Sequence, residues 1–267
     1  MKPNRLQQVL AEGRVPVGHM ILEFGTRGVA KILEAAGADF VVIDMEHGAF
    51  DIADVADMVA WFKATPVAPF VRIPQVDYHF VARALDAGAL GIMVPNVRSA
   101  DQARAVVEAA KYAPAGRRGV ILGGPHGDFR QEDARAFMER SNVGTTIICQ
   151  IESREGLEQL EAIAATPGVD ILWVGQADLT QSLGIPGAFD DERFLGALRR
   201  VVEVARRHGL AAGIQPGNLE QAAEWMALGY NVISYSGDYF VYRDALAQAF
   251  AGVRQIAAGE GGTSGGA

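Results

Sequence analysis

The chain is poor in cysteine and has no long apolar run, and each shortage excludes a class of protein. Among its 267 residues there is one cysteine, Cys149, so no intrachain disulfide can form. This residue lies inside an apolar run, where a small buried core side chain is expected instead of a nucleophile. No apolar stretch approaches the ~18 residues that a membrane-spanning helix needs, so we expect no membrane partner.

Positive charge is also scarce. The formal net charge is -8, and no dense basic block occurs, which argues against nucleic acid as the main partner. The first residues lack the apolar segment of a secretory signal, so we expect a cytoplasmic location. Hydrophobic residues make up 49% of the chain and charged residues 21%, which is typical of a globular protein with a full core.

Several short apolar runs end in charged or strongly polar clusters. Four of them are residues 40–47, 69–72, 147–152 and 171–178. Such runs, bounded by turn signals, are typical of strands buried on both faces. Helical stretches separate them, which predicts parallel strands joined by crossover helices. In a (β/α) barrel the carboxyl ends of the strands carry the chemistry, so the pattern predicts an enzyme.

A repeated layout of helix end, glycine and apolar strand favours a single α/β domain, a (β/α)8 TIM barrel over residues 1–258. A Gly/Ser-rich tail over 259–267 is predicted to be disordered. No G-x-G-x-x-G follows the first strand, which argues against a dinucleotide-binding fold. Helices are predicted near 26–37, 52–63, 78–88, 99–111, 154–165, 190–208, 218–229 and 239–257. Strands are predicted near 15–21, 39–44, 69–73, 90–94, 118–122, 146–152, 171–174, 211–214 and 231–235. An eight-stranded barrel has room for eight of these nine strands. The segment 118–122 is the weakest strand prediction, because the glycines around it could form a loop.

Residues 122–145 are predicted to form a long irregular loop, because glycine and proline are dense at their head. Loops on a barrel face often line the site, so His126 is a candidate pocket residue.

Strand alternation places Gln150 and Glu152 on one face, most simply the barrel interior near its mouth. A buried carboxylate needs a cation, and either Arg72 or a metal ion would serve. Glu152 and Asp178 together form an oxygen-only pair that suits Mg²⁺ or Mn²⁺, with water or substrate completing the shell. The structural alternative is a salt bridge for Glu152 and a helix N-cap for Asp178.

Asp44 and His47 form a second polar group, at the end of the second predicted strand. A carboxylate beside an imidazole fixes the imidazole tautomer and raises its basicity, which makes a general base or acid. Glu46 is the alternative partner, and a purely structural histidine is the alternative role. The Arg72 guanidinium suits a developing oxyanion or a carboxylate.

The four lysines, Lys2, Lys31, Lys63 and Lys111, fall in the N-terminal segment or in predicted helices. A lysine imine requires a lysine at a barrel strand end, so this covalent chemistry is not expected.

Six motifs in order resemble the HpcH/HpaI aldolase family of metal-dependent pyruvate aldolases, over roughly residues 15–250. Each alone is weak, and their combination is specific. They are Ile43-Asp-Met-Glu-His-Gly48, Val71-Arg72, Gly88-Ala-x-Gly-Ile-Met-Val-Pro95, Pro114-x-Gly-Arg-Arg-Gly119, Gln150-Ile-Glu-Ser153 and Gly175-Gln-Ala-Asp-Leu-Thr-x-Ser-Leu-Gly184.

The resemblance implies a class II aldehyde-lyase that cleaves a 4-hydroxy-2-oxo acid, such as 4-hydroxy-2-oxoheptanedioate or 2-dehydro-3-deoxyglucarate, to pyruvate and an aldehyde. It implies a barrel assembled as a homo-trimer or homo-hexamer, with the C-terminal helix exchanged between subunits. It also implies a divalent metal (Mg²⁺, Mn²⁺ or Co²⁺) that is bound by Glu152 and Asp178.

By the same resemblance, His47 with Asp44 handles protons and Arg72 steadies the pyruvate enolate. The implied substrate-binding set also includes Asp86, at a position that the family presents to a neighbour's site. Its other members are Gln150, Gly175, Gln176 and Ala177.

Two departures from the family pattern bear on the acceptor aldehyde. Gln176 stands where the family commonly has proline, and residues 123–130 differ from the usual family loop. Two alternatives stay open at this point. A CoA-ester lyase of the citramalyl or malyl type shares the barrel and metal, and a barrel that binds an oxo acid without turnover would be a sensor.

Overall fold

Eight parallel strands close into a barrel in the computed structural model, which describes residues 2–258. Each strand pairs with the next along the chain, and β8 pairs with β1. The strands are β1 (Val17–Ile21), β2 (Phe40–Asp44), β3 (Ala68–Arg72), β4 (Gly91–Val94), β5 (Thr146–Ile151), β6 (Ile171–Val174), β7 (Ala211–Ile214) and β8 (Val232–Gly237). The predicted (β/α)8 barrel is confirmed.

Helices follow the strands around the outside, and within residues 2–258 none is long and apolar enough to cross a membrane. They are α1 (Arg5–Ala11), α2 (Val29–Ala35), α3 (Ile52–Phe62), α4 (Tyr78–Ala87), α5 (Ala100–Ala110), α6 (Ala134–Gly144), α7 (Arg154–Glu158), α8 (Leu160–Ala164), α9 (Gln176–Ser182), α10 (Glu192–Arg207), α11 (Leu219–Leu228) and α12 (Asp238–Ala257). The predicted tail over 259–267 lies outside the described residues.

Two predictions about the middle of the chain are wrong. Residues 118–122 form no strand, because this segment hydrogen-bonds back to the end of α5, with the Arg118 N–H donating to Lys111 O at 2.9 Å. The predicted loop 122–145 contains a 3₁₀ turn at Pro125–Gly127 and then helix α6. The start of α6 is capped by Asp133, whose carboxylate accepts from Ala136 N–H, and such a cap offsets a weak helical pattern.

The barrel interior is filled by aromatic rings that each lie beside a glycine of the adjacent strand. The register pairs Phe40 with Gly18, Phe70 with Gly91, and Trp173 with Gly213. A Cβ atom on Gly213 would lie 2.1 Å from Trp173 Cε3. A large ring therefore fits into the barrel only because its neighbour has no side chain.

Residues that alternate with these rings point outward and pack against the helices. Cys149 is one of them: it is buried between β5 and the helix layer, and burial raises the pKa of its thiol to about 12. The inward-facing residues form a separate cluster, which Leu6 of α1 joins. Strand alternation thus assigns each strand residue either to the helix layer or to the barrel interior.

We predict that Gly91→Ala destabilises the protein by about 1–3 kcal/mol, as expected for an overfilled core. Its Cβ would lie 2.4 Å from Phe70 Cε1 and 2.4 Å from the backbone oxygen of Thr146, which cannot rotate away. The matched control is Gly252→Ala in α12, where nothing lies within 4 Å and alanine favours the helix. Urea unfolding of both variants tests this, and equal midpoints would contradict it.

Candidate active site

The carboxyl ends of the strands open into a cleft of about 580 Å³. Eight of the residues singled out from the sequence line it: His47, Arg72, Gln150, Glu152, Gly175, Gln176, Ala177 and Asp178. They come from the ends of β2, β3, β5 and β6, which adjoin this mouth because all eight strands run in one direction.

Asp44 and Arg72 form a buried, bidentate ion pair beneath the cleft. Arg72 Nε donates to Asp44 Oδ1 at 2.8 Å and Nη2 donates to Oδ2 at 2.6 Å. The backbone N–H groups of Glu46 and His47 donate to the same carboxylate, at 2.9 and 3.4 Å. Asp44 therefore contacts the backbone of His47, and the predicted side-chain pair between Asp44 and His47 is not formed. The guanidinium binds the Asp44 carboxylate because Asp44 and Arg72 are direct neighbours on β2 and β3.

Glu46 is the acidic neighbour of the His47 side chain. Glu46 Oε2 lies 3.8 Å from His47 Nε2 and 3.2 Å from Arg72 Nη1. Burial raises the pKa of the Glu46 carboxyl, although Arg72 and His47 act in the opposite direction. The His47 side chain is 59% exposed, so its imidazole is open to solvent at the cleft.

Glu152 is a buried carboxylate that accepts hydrogen bonds but forms no ion pair with any residue in 2–258. Asn96 N–H donates to Oε1 at 2.6 Å, and the Gln150 amide donates to Oε2. Burial raises the pKa of Glu152 from 4.5 to about 7, and Glu46 and Asp178 add to the increase. Arg72 directs its hydrogen bonds to Asp44, so the sequence-based pairing of Arg72 with Glu152 is not formed.

Asp178 lies in the first turn of α9 with its side chain exposed. The N-cap of this helix is Gly175, so Asp178 is not the capping residue. Within residues 2–258 it takes part in no side-chain hydrogen bond or ion pair. Gly175 packs closely against Glu152 and Gln150: a Cβ there would be 2.0 Å from Glu152 Oε2 and 2.8 Å from Gln150 Nε2.

The arrangement of donors fits a hard divalent cation. Asp44, Glu46 and Glu152 lie close to the guanidinium of Arg72, and Asp178 is a fourth acid close to Glu46 and Glu152, so the acids outnumber the cation here. Across residues 2–258 there is no cluster of three or more His, Cys, Asp or Glu side chains that could hold a metal. Glu152 and Asp178, the pair that the resemblance assigns to the metal, could hold it here, with water or substrate oxygens as the other ligands.

Two predicted residues lie outside this cleft. Asp86 pairs with Arg118 at 2.6 Å on the outside of the barrel. His126 is buried against Phe137 of α6, with 5.1 Å between the ring centroids, because its 3₁₀ turn packs on α4. The expectation that His126 lines the pocket is therefore not met within this chain.

Sequence reasoning missed several contributors to the cleft, three of which bear on its polar groups. Asn96 acts through its backbone N–H, which no side-chain pattern reveals. Gln215 follows Gly213 by two residues at the end of β7, so strand alternation could have identified it as inward-facing. Ser236 also lines the cleft, but it does so through an irregularity in β8 that the sequence does not signal.

The whole chain is similar to known aldolases. It is 36% identical over 245 residues to the hydroxypyruvate/pyruvate aldolase of Paraburkholderia phytofirmans, which covers 90% of this chain and 94% of that protein. It is 31% identical to the 5-keto-4-deoxy-D-glucarate aldolase of Klebsiella pneumoniae, over 93% of this chain and 97% of that one.

Solved structures agree with the sequence comparison. The crystal structure of an HpcH/HpaI aldolase from Desulfitobacterium hafniense superposes with a TM-score of 0.90 at 30% identity, covering 94% of this chain and 96% of that chain. The sequence profile of one family, described as HpcH/HpaI aldolase/citrate lyase, matches residues 24–245. This chain belongs to the HpcH/HpaI aldolase/citrate lyase family.

Proposed function

We propose that this protein is a divalent-metal-dependent aldolase that cleaves a 4-hydroxy-2-oxo acid to pyruvate and an aldehyde, reversibly. One observation carries the proposal: Glu152 is a buried carboxylate without a cation, and it adjoins Asp178 beside a fixed guanidinium. Acids in this setting attract a metal ion, and the guanidinium favours the negative charge that aldol cleavage develops.

Glu152 and Asp178 would hold the metal, for which Mg²⁺, Mn²⁺ and Co²⁺ are the candidates. A bound divalent ion would act as a Lewis acid that polarises the 2-oxo group, and it would also orient the substrate. Asn96 N–H and the Gln150 amide already fix the Glu152 carboxylate, so little reorganisation is needed when the ion binds.

Arg72 and His47 would act on the reacting atoms. When the bond between C3 and C4 of the substrate breaks, its electron pair remains on pyruvate as an enolate. Arg72 stabilises the negative oxygen, and Asp44 keeps the guanidinium in place with two hydrogen bonds. His47 takes the proton of the C4 hydroxyl, which leaves the aldehyde, and the enolate then takes up a proton at C3.

The remaining substrate contacts follow from the resemblance. Gly175 is the N-cap of α9, and Gln176 and Ala177 begin the helix; among residues 2–258 the N–H groups of these two residues have no hydrogen-bond partner and could bind the substrate carboxylate. Gln150 lines the same space. We also propose a cytoplasmic protein that assembles as a trimer or hexamer. Exposed Phe250, Val253 and Ile256 on α12 support an exchange of this helix, because they recur at helical spacing.

We predict that metal-stripped protein releases no pyruvate from 4-hydroxy-2-oxo acids and that Mg²⁺ or Mn²⁺ restores release. Glu152→Gln and Asp178→Asn should abolish the restored activity, because each removes a charged metal ligand. The matched control is Asp57→Asn, an exposed acid on α3 outside the cleft, which should behave as wild type. Release measured with coupled lactate dehydrogenase provides the test.

Two outcomes would contradict the proposal. Full activity in metal-free protein would exclude the metal. Turnover of a malyl-type CoA thioester without turnover of any free oxo acid would identify a CoA-ester lyase instead.

We predict that Glu152→Gln stabilises the metal-free protein at pH about 8. Because the pKa of Glu152 is raised from 4.5 to about 7, the native state binds a proton that the unfolded state releases, and stability falls as pH rises through this window. The gain is roughly 3 kcal/mol at most, from about 1.4 kcal/mol per pKa unit. A flipped Gln150 amide would satisfy the new side chain, since Gln150 Oε1 is buried without a partner.

Urea unfolding at several pH values measures this gain, which should vanish below pH about 4.5. Added Mn²⁺ should stabilise the wild type and leave the variant unchanged. A variant that is less stable than wild type at high pH would contradict the prediction, because it would show that the Glu152 carboxylate does not destabilise the metal-free protein.

We predict that His47→Gln lowers kcat by about 100-fold, as the loss of a general base does. Its melting temperature should stay within about 2 °C of wild type, because surface substitutions change stability little and the His47 side chain is 59% exposed. The matched control is His79→Gln, an exposed histidine on α4 that does not line the cleft. Unchanged kcat in His47→Gln would assign the base to another group.

A further inference from the structure

One wall of the cleft is built from uncharged polar side chains. Gln176 and Gln215 follow the ends of β6 and β7, Ser236 lies within β8, next to its final residue, and all three line the cleft. Gln176 Nε2 donates to the backbone oxygen of Gln215 at 2.6 Å, and Gln215 Nε2 donates to the backbone oxygen of Ser236 at 2.8 Å. These two hydrogen bonds connect Gln176 to Gln215 and Gln215 to Ser236, and they hold the two amide side chains in place at this part of the mouth.

Ser236 is held in an unusual backbone conformation. Its φ is 54°, in the left-handed region that is uncommon for residues other than glycine. The register between β1 and β8 shifts just before it, since Gly18 pairs with Ser234 but Met20 pairs with Gly237. His19 Nδ1 lies 2.8 Å from the backbone oxygen of Tyr235 and helps to fix this irregularity. Bulges and strained residues of this kind are concentrated next to functional sites, where they redirect a side chain.

The wall retains unused hydrogen-bonding capacity toward the cleft. Across the part of the chain that the structure describes, Oε1 of Gln176, Oε1 of Gln215 and Oγ of Ser236 take part in no hydrogen bond. The two amide oxygens are acceptors, and the serine hydroxyl is both donor and acceptor. Such a set matches ligand hydroxyl groups, which likewise both donate and accept.

Two arginines line the cleft, and each of them contacts an acid of this chain. Arg72 and Arg243 are the basic side chains, other than His47, among the described residues that line it. Arg72 is bound by Asp44, and Arg243 Nε lies 2.7 Å from Asp244 Oδ1. The pair between Arg243 and Asp244 is exposed, so it leaves this guanidinium accessible, and a preference for hydroxyl groups therefore depends on the amide wall alone.

We propose that the wall formed by Gln176, Gln215 and Ser236 recognises hydroxyl groups, so that the acceptor is a hydroxyaldehyde. The inference rests on the proposed aldolase function and names the class of its second substrate. A site built to bind a hydroxyl discriminates strongly against an analogue that lacks it, because its buried polar groups are then left unpaired.

The test compares two aldehydes of nearly equal size in condensation with pyruvate, in the metal-loaded enzyme. Glycolaldehyde carries a hydroxyl where propanal carries a methyl group, and succinic semialdehyde supplies the charged case. We expect kcat/KM for glycolaldehyde to exceed that for each of the others by at least tenfold. In Gln176→Met and in Ser236→Gly the ratio of glycolaldehyde to propanal should fall about tenfold, mainly through KM for glycolaldehyde.

Two choices keep the test decisive. Glycine tolerates the left-handed conformation at position 236, so Ser236→Gly removes the hydroxyl with the backbone retained, and melting temperatures confirm folding. The matched control is Gln181→Met, an exposed glutamine on α9 outside the cleft, whose ratio should equal that of wild type.

A wild-type preference for propanal or succinic semialdehyde would overturn the inference and leave the aldolase function intact, as would ratios unchanged in folded Gln176→Met and Ser236→Gly. Failure to consume pyruvate with any aldehyde would overturn the proposed function itself, and the inference with it.

Discussion

The close packing of large rings against glycines inside the barrel is the constraint on which the remaining structure depends. Gly18, Gly91 and Gly213 each face a ring on the adjacent strand, so each pair fits in one register only. A shift by one residue would turn a ring into the helix layer and every inward side chain outward. The same register places Arg72 and Gln150 on the inner face, each two residues beyond an inward-facing core residue, Phe70 or Ile148. The packing of the barrel interior, below the cleft, thus determines the geometry of the cleft.

Above this packed interior, the ion pair between Asp44 and Arg72 organises the acidic side of the mouth. A buried guanidinium with a bidentate partner is fixed in position and keeps its charge. It also limits what the other acids can do, because the hydrogen bonds of Arg72 go to Asp44 and its Nη1 lies 3.2 Å from Glu46, while Glu152 accepts from Asn96 and Gln150. The excess negative charge at Glu152 and Asp178 is a direct consequence. The proposed metal site and the fixed arginine are therefore parts of one charge arrangement.

Much of this could be predicted from the sequence, for identifiable reasons. Apolar runs typical of strands buried on both faces, with glycine at the helix ends, were sufficient to predict the barrel. Alternation along β5 predicted that Gln150 faces the barrel interior. The partner of Asp44 was not predictable, because it depends on the pairing of β2 with β3 and not on nearness in sequence. The roles of Asn96 and Ser236 arise from a backbone N–H and from a register shift, which side-chain patterns do not encode. Helix α6 was missed because capping by Asp133 compensates for a segment with few apolar residues.

The position of Cys149 makes the protein convenient for chemical labelling. Its thiol is buried between β5 and the helices, and burial raises its pKa to about 12, so almost no thiolate is present at neutral pH. It is also the one cysteine in the sequence. A second cysteine introduced at the rim of the cleft would therefore react with maleimide or nitroxide reagents while the native thiol stays unmodified. Spin or fluorescent probes can be attached at a single chosen position without first removing a core residue.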